Sequence, residues 1–176
     1  MHTLRSVLQH IGYRLGQVRQ QLGFVSPLSA EELSEIADHL PPPAYRLFLT
    51  MTEADRRHSL RVYQGLLKHG CLEDDLLRAA LLHDVGKAAG RVPFWTRPVI
   101  VLGKSLAPRL LRRLLRYPEP SQPRWQRALG YAWWHAEVGA RLAEEAGLSE
   151  RAALYIRTHH QPTGPAAALH LVDEAS

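Results

Sequence analysis

The stretch Ala80-Leu81-Leu82-His83-Asp84-Val85-Gly86-Lys87 ends an apolar helical run in an ionisable His-Asp pair. Acidic residues at 73–75 precede the run, where they complement the partial positive charge of a helix N-terminus. An isolated His-Asp pair is common by chance and more often has a structural or surface role. Its meaning therefore depends on the residues that accompany it along the chain.

The rest of the sequence predicts helices almost throughout. Apolar residues recur at helical spacing, and serine, threonine, proline and glycine stand where helices begin or end. Strand-like alternation is nearly absent, since the apolar run at 98–102 is too short to indicate a sheet. We predict an all-α fold, a single-domain helical bundle, with Trp125, Trp133 and Trp134 in its core. The predicted helices cover residues 3–22, 29–40, 43–51, 52–69, 73–83, 107–116, 124–146, 149–160 and a short C-terminal segment.

Length and composition indicate one globular domain. The chain has 176 residues, of which 45% are hydrophobic and 22% charged, enough to bury a sizeable core. The single cysteine, Cys71, cannot form an intramolecular disulfide, which fits a reducing compartment. The N-terminal segment lacks the apolar core of a signal peptide, and no stretch approaches the roughly 18 apolar residues of a membrane span. We therefore expect a cytoplasmic protein without a transmembrane segment.

Histidines fall at positions where helices could direct them inward. His58 and His135 lie within predicted helices, and a His-His pair at 159–160 ends another. Imidazole together with carboxylate suits transition metals, and a carboxylate can bridge two ions. Taken singly, each histidine is equally compatible with a packed core position or with a favourable place at a helix C-terminus.

The order of these residues resembles the HD superfamily of metal-dependent phosphohydrolases, in particular its HDIG-type branch. The family pattern is a first His, a His-Asp pair followed by a hydrophobic residue, Gly and Lys, then a lone His, a His-His pair and a final Asp. The resemblance covers roughly residues 55–176. It implies an HD-type bundle at 51–176, preceded at 1–50 by a helical extension that completes the bundle or makes a homodimer contact. The matching residues are His58, His83-Asp84-Val85-Gly86-Lys87, His135, His159-His160 and Asp173.

The resemblance also implies a binuclear centre holding two divalent transition-metal ions, from among iron, manganese, cobalt, nickel and zinc. Two ions about 3.5–4 Å apart lower the pKa of a shared water and yield a hydroxide. That hydroxide would hydrolyse a phosphomonoester or phosphodiester of nucleotide type, a cyclic dinucleotide included. Asp84 and Lys87 would be catalytic, with Lys87 contacting phosphate. The first ion would be held by His58, His83, Asp84 and Asp173, and the second by His135, His159 and His160, with Asp84 bridging both.

Departures from the family pattern leave the substrate open. Relatives that hydrolyse cyclic di-GMP carry Gly-Tyr-Pro after the His-His pair, whereas this chain has Gln161-Pro162-Thr163-Gly164-Pro165. Relatives with a third metal have a glutamate four residues before the first His, where this chain has Ala54. Relatives that act on guanosine tetraphosphate place acidic residues soon after His-Asp, and these are also missing here.

A basic segment at 91–116 separates the His-Asp pair from His135, and the net charge of the chain is +5. The segment could bind a phosphorylated small molecule or nucleotide through Arg91 and Arg97, with Phe94-Trp95 as a stacking surface for a base. It could also be a solvated amphipathic helix, or it could contact a membrane surface through its leucines. We predict no nucleic-acid partner.

Three classes of function remain open. The leading one is the phosphohydrolase. A mixed-valent di-iron oxygenase uses the same ligands within the superfamily, but it needs a substrate-chelating pocket that this sequence does not reveal. A non-catalytic HD sensory module is disfavoured, because such modules usually lose one or more of the ligands.

Overall fold

A computed structural model describes residues 26–93 and 95–176 as a bundle of α-helices. All regular elements among these residues are helical, which confirms the predicted all-α class. The predicted helix at 3–22 and the stacking residue Phe94 lie outside the described residues. Among the residues described, no helix combines the length and apolarity needed to cross a bilayer. The helices are α1 (Ala30–His39), α2 (Pro42–Leu49), α3 (Glu53–Lys68), α4 (Asp74–Leu82), α5 (Val85–Ala89), α6 (Thr96–Leu106), α7 (Pro108–Leu114), α8 (Arg124–Glu145), α9 (Glu150–Thr158) and α10 (Ala167–Ala175).

Side-chain caps explain where several helices begin. Ser29 and Glu32 form a reciprocal capping box at α1, with the Ser29 amide donating to the Glu32 carboxylate at 2.7 Å. Thr52 caps α3 and Ser149 caps α9, each hydroxyl accepting a backbone N–H three residues later. The helix starts predicted at these three hydroxyl residues are therefore confirmed.

One apolar core joins α1–α4 to the second half of α8, α9 and α10. Residues 26–50 share in it, because Ile36 and Phe48 are completely buried within the same cluster as Leu81 and Ile156. Burying each such side chain contributes roughly 1.5–3 kcal/mol. The α1 region is tied to α3 by an ion pair between Arg57 and Glu32 at 2.5 Å.

A smaller cluster holds α6 and α7 against the first half of α8. Leu111, Leu115 and Leu129 are buried there, with Ile100, Trp95 and Trp133 packed around them. The apolar run at 98–102 lies in α6.

The prediction that all three tryptophans of α8 lie in the core is wrong for two of them. Trp125 is 48% exposed and Trp134 is 37% exposed. Positions 133 and 134 are about 100° apart around a helix, so when Trp133 faces the small cluster Trp134 points away from it. Trp125 lies in the first turn of α8, which extends past the main core.

Two interruptions in the helices prepare the site. His83 and Asp84 form a turn between α4 and α5, and α8 is kinked at Trp134, whose backbone is not helical. The backbones of α5 and α8 touch at Gly86, where a Cβ atom would stand 2.1 Å from the carbonyl oxygen of His135. This contact brings the His-Asp turn directly beside the kink that precedes His135.

Candidate metal centre

The structure brings all seven predicted metal ligands into one cluster. His58, His83 and Asp84 offer ligand atoms that lie within 4.8 Å of one another, and so do His135, His159 and His160. Asp173 joins the first group, because its Oδ1 is 2.8 Å from Nε2 of His58 and 3.5 Å from Nε2 of His83. Five stretches of chain therefore meet here: α3, the α4–α5 turn, α8, the turn after α9, and α10.

Local hydrogen bonds set the orientation of three imidazole rings. Nδ1 of His83, His135 and His159 lies 2.8, 3.0 and 2.7 Å from the carbonyl oxygen three residues earlier in each case. A carbonyl only accepts, so each Nδ1 carries the proton and each Nε2 presents a lone pair to the cluster. The His135 ring bonds at the kink in α8, and a side chain that competes for a helix carbonyl is a known cause of kinks.

Two of these lone pairs have no partner. Nε2 of His83 and Nε2 of His159 are buried without a hydrogen bond in the described part of the chain. An unsatisfied buried acceptor costs roughly 1–3 kcal/mol, which argues that these two nitrogens bind a ligand. Nδ1–H bonded to a carbonyl with Nε2 free is also the usual arrangement of a metal-binding histidine. Nitrogen and carboxylate donors in this combination fit divalent transition-metal ions.

Asp84 lies between the two groups. Its Oδ2 is 3.7 Å from Nε2 of His83, and its Oδ1 is 3.6 Å from Nε2 of His135. The residue is only 4% exposed. Each carboxylate oxygen therefore faces a different group, as a bridging ligand requires.

The two carboxyl groups of the centre stay ionised. Burial raises the pKa of Asp84, but the cations around it, Lys87 first, outweigh this effect and hold that pKa well below its usual range. Burial also opposes ionisation of Asp173, yet the hydrogen bond from His58 and the nearby His83 ring lower its pKa. Both groups are thus ready to bind a cation at neutral pH.

The second group of ligands is held neutral. Burial, reinforced by the charge of Lys87, lowers the pKa of His135 to about 4. Burial beside His83 lowers the pKa of His159 to about 2, and burial also lowers the pKa of His160. His83 differs, because the carboxylates of Asp84 and Asp173 outweigh its burial and raise its pKa.

These shifts predict that the metal-free protein loses stability as the pH falls from 7 to 5. His135 and His159 take up protons in the unfolded chain near pH 6.5 but not in the folded one, so acid favours unfolding. Each of these two histidines should lower the free energy of unfolding by about 2 kcal/mol between pH 7 and pH 5. His83 opposes the trend, because its raised pKa stabilises the folded state at acid pH. Urea unfolding of chelator-treated protein at both pH values measures the difference; equal or greater stability at pH 5 would contradict the prediction.

The predicted substrate residues occupy different places. Lys87 belongs to the centre, since its Nζ is 2.6 Å from Oδ2 of Asp84. Arg91 is exposed and has a backbone φ of 43°, and it lines a surface depression of about 260 Å³. Arg97 is exposed on α6. The substrate-binding role of all three stays a prediction.

Two residues of that depression were missed from the sequence. Arg127 and Tyr131 line it together with Arg91, and they precede His135 on α8 by eight and four residues. That spacing places them on the same face of α8 as His135 and could have revealed them. His170 lies one helical turn before Asp173, and its Nδ1 is 3.1 Å from the carbonyl oxygen of His159.

Comparisons with protein-family models, curated proteins and solved structures give no match for this chain. What is shown is an all-helical bundle whose His and Asp side chains form two adjoining groups able to hold metal ions.

Proposed function

We propose that this chain is a metal-dependent phosphohydrolase of the HD superfamily with a two-metal centre. The observation that carries the proposal is the position of Asp84, whose two oxygens face separate groups of ligands at 3.7 and 3.6 Å. One group of three side chains is enough to hold a single ion, so two groups with Asp84 between them favour two ions. The order of the seven ligands along the chain, which resembles the HDIG-type pattern, supports the same conclusion.

The first ion would be held by His58, His83, Asp84 and Asp173, and the second by His135, His159 and His160 with Asp84 between them. When bound, two such ions supply Lewis-acid chemistry, which activates water and offsets charge on a phosphate.

The surrounding residues suit an anionic substrate. His160 is exposed, so the second group opens to solvent. The Lys87 side chain is 21% exposed, so its ammonium group reaches both Asp84 and solvent and can contact a phosphate oxygen there. The rigid rings of His83, His135 and His159 keep the ligand geometry fixed around the reacting group.

The neighbouring depression favours a substrate larger than phosphate. Tyr131 lies one helical turn from His135, and the depression that it lines also presents Arg91 and Arg127. Arginine binds phosphate by paired hydrogen bonds, and an aromatic ring can stack with a base. A nucleotide could therefore place one phosphate at the metal centre and its remainder against Tyr131 and the arginines.

Replacing Arg127 with Gln should raise KM about tenfold with little change in kcat, because the lost contact is remote from the reacting phosphate. Arg91→Gln should act in the same way. Steady-state kinetics with the best nucleotide substrate measures both effects. Arg46→Gln removes the same charge from the exposed end of α2 and serves as control. An unchanged KM in both variants would remove the depression from the substrate site.

Metal content and a substrate panel on the same sample test the proposed function. We expect about two transition-metal ions per chain and hydrolysis of nitrophenyl phosphate esters or nucleotides with or without air. Fewer than one ion per chain would overturn the two-metal centre. Oxygen consumption with an Fe(II)/Fe(III) spectroscopic signature and no phosphatase activity would identify the di-iron oxygenase instead. Full metal loading with neither activity would favour the sensory module.

A further inference from the structure

Helices α6 and α7 form a hairpin, here called the basic hairpin (residues 96–116), that uses only one of its faces for packing. Ile100, Leu111 and Leu115 point inward and contact the first half of α8. The two helices meet at Ala107, where the backbone leaves helical geometry before Pro108. Packing of the inner face against α8 stabilises the hairpin. The apolar residues on the opposite face contribute nothing to that packing.

The outer face carries a series of exposed apolar residues, here called the apolar stripe. Val99, Leu102 and Leu106 share one side of α6 at spacings of three and four residues, and Leu110 is exposed in the first turn of α7. The exposed fractions of Leu102, Leu106 and Leu110 are 57%, 79% and 58%. Scattered exposed leucines are ordinary, but a contiguous apolar patch marks an interaction surface.

The charge around this stripe is of one sign. No Asp or Glu occurs between Asp84 and Glu119, so the hairpin has no acidic side chain of its own. In the described part of the chain, Arg109, Arg112, Arg113 and Arg116 take part in none of the ion pairs. The arginines that do form ion pairs lie elsewhere and are Arg56, Arg57, Arg78, Arg141, Arg151 and Arg157.

We propose that the basic hairpin is a docking surface for an anionic phospholipid bilayer. Arginines flanking an apolar stripe match the two requirements of interfacial binding: burial of apolar side chains below the headgroups, and attraction to anionic lipid. Nucleic acid would use the cations but leave the leucine stripe in water. An acidic protein partner would need an apolar groove shaped to fit the stripe, whereas a bilayer offers apolar interior beneath anionic headgroups along its whole surface. The proposal does not depend on the proposed hydrolytic activity.

Vesicle sedimentation with the full chain tests this docking. We expect binding to vesicles of phosphatidylcholine with about one third phosphatidylglycerol, weak binding to phosphatidylcholine alone, and loss of binding as salt is raised. The double variant Leu102→Asn/Leu106→Asn should bind at least about tenfold more weakly because it removes the inserted side chains. Arg112→Gln/Arg113→Gln should weaken binding by about tenfold or more, since each basic residue near the surface contributes about fivefold.

Matched variants control for hydrophobicity and charge. Leu49→Asn/Leu72→Asn removes two exposed leucines away from the hairpin, and Arg46→Gln/Lys68→Gln removes two exposed charges. Both should bind vesicles like the unmodified protein. Thermal melts and metal content of each variant show whether the fold and the metal centre are intact.

Three results would overturn the docking proposal. The first is absence of binding to anionic vesicles by intact protein. The second is equal binding by the hairpin variants and their controls. The third is a dimer in sedimentation velocity that Leu102→Asn/Leu106→Asn dissociates, because a second copy of the chain would then cover the stripe. Vesicle binding and phosphatase activity are measured separately. A protein that shows no phosphatase activity in the substrate panel can therefore still pass or fail the docking test.

Discussion

Replacing Asp84 with Ala should lower bound metal from about two ions per chain to fewer than one and reduce hydrolysis by roughly three orders of magnitude, or about 4 kcal/mol of transition-state stabilisation. The two oxygens of this carboxylate face separate groups of side chains, so its loss should weaken both proposed ion sites together. It also removes the negative charge that lies 2.6 Å from Nζ of Lys87. The increased positive charge then repels any remaining cation.

Metal analysis and kinetics on the same preparation check this expectation. Asp74→Ala is a suitable control, because the Asp74 side chain is 74% exposed and lies at the start of the same α4 that leads into the site. It should keep full metal content and activity. Full turnover by Asp84→Ala would place the activity elsewhere in the molecule.

Replacing Gly86 with Ala should destabilise the fold by about 3 kcal/mol, lowering Tm by roughly 10 °C. The new Cβ would stand 2.1 Å from the carbonyl oxygen of His135 and 2.9 Å from the amide nitrogen of Gly139. Both atoms belong to the α8 backbone, so the clash cannot be relieved by a side-chain rotation. Since α5 and α8 must separate, Asp84 moves away from His135 and metal content should fall as well.

Gly103→Ala provides the matched control for this substitution. A Cβ there would meet only the Leu111 side chain, at 3.0 Å and beyond, and such a side chain can shift. Alanine also favours the helix by about 1 kcal/mol relative to glycine. The Tm of Gly86→Ala should therefore lie well below the Tm of Gly103→Ala. A Gly86→Ala variant as stable as Gly103→Ala would show that the α5–α8 contact is looser than the structure has it.

Several of the clustered histidine and aspartate residues leave a local mark in the sequence. His83 and Asp84 follow a strongly apolar run, and His159 ends a helix that begins at a clear serine cap. The order of these residues along the chain is the basis of the resemblance to the HD superfamily. The all-α class followed from helical spacing and from capping residues, which act over a few residues and need no tertiary information.

Features that depend on distant parts of the chain were not predictable in the same way. The two oxygens of Asp84 face different groups only because α5 packs on α8 at Gly86. The exposure of Trp134 depends on which face of α8 packs against the small cluster, where its neighbour Trp133 is packed. The depression beside Tyr131 forms where α5 ends against α8, and neither helix alone contains it.

The hydrogen bond between His58 and Asp173 joins residues separated by 115 positions. Closing so long a loop costs entropy, which is lost before the contact stabilises the chain. The His135 group is drawn from two consecutive helices, α8 and α9, and the turn that follows them. The His58 group instead needs α10 packed against α3, so it is complete only when two helices far apart along the chain have come together.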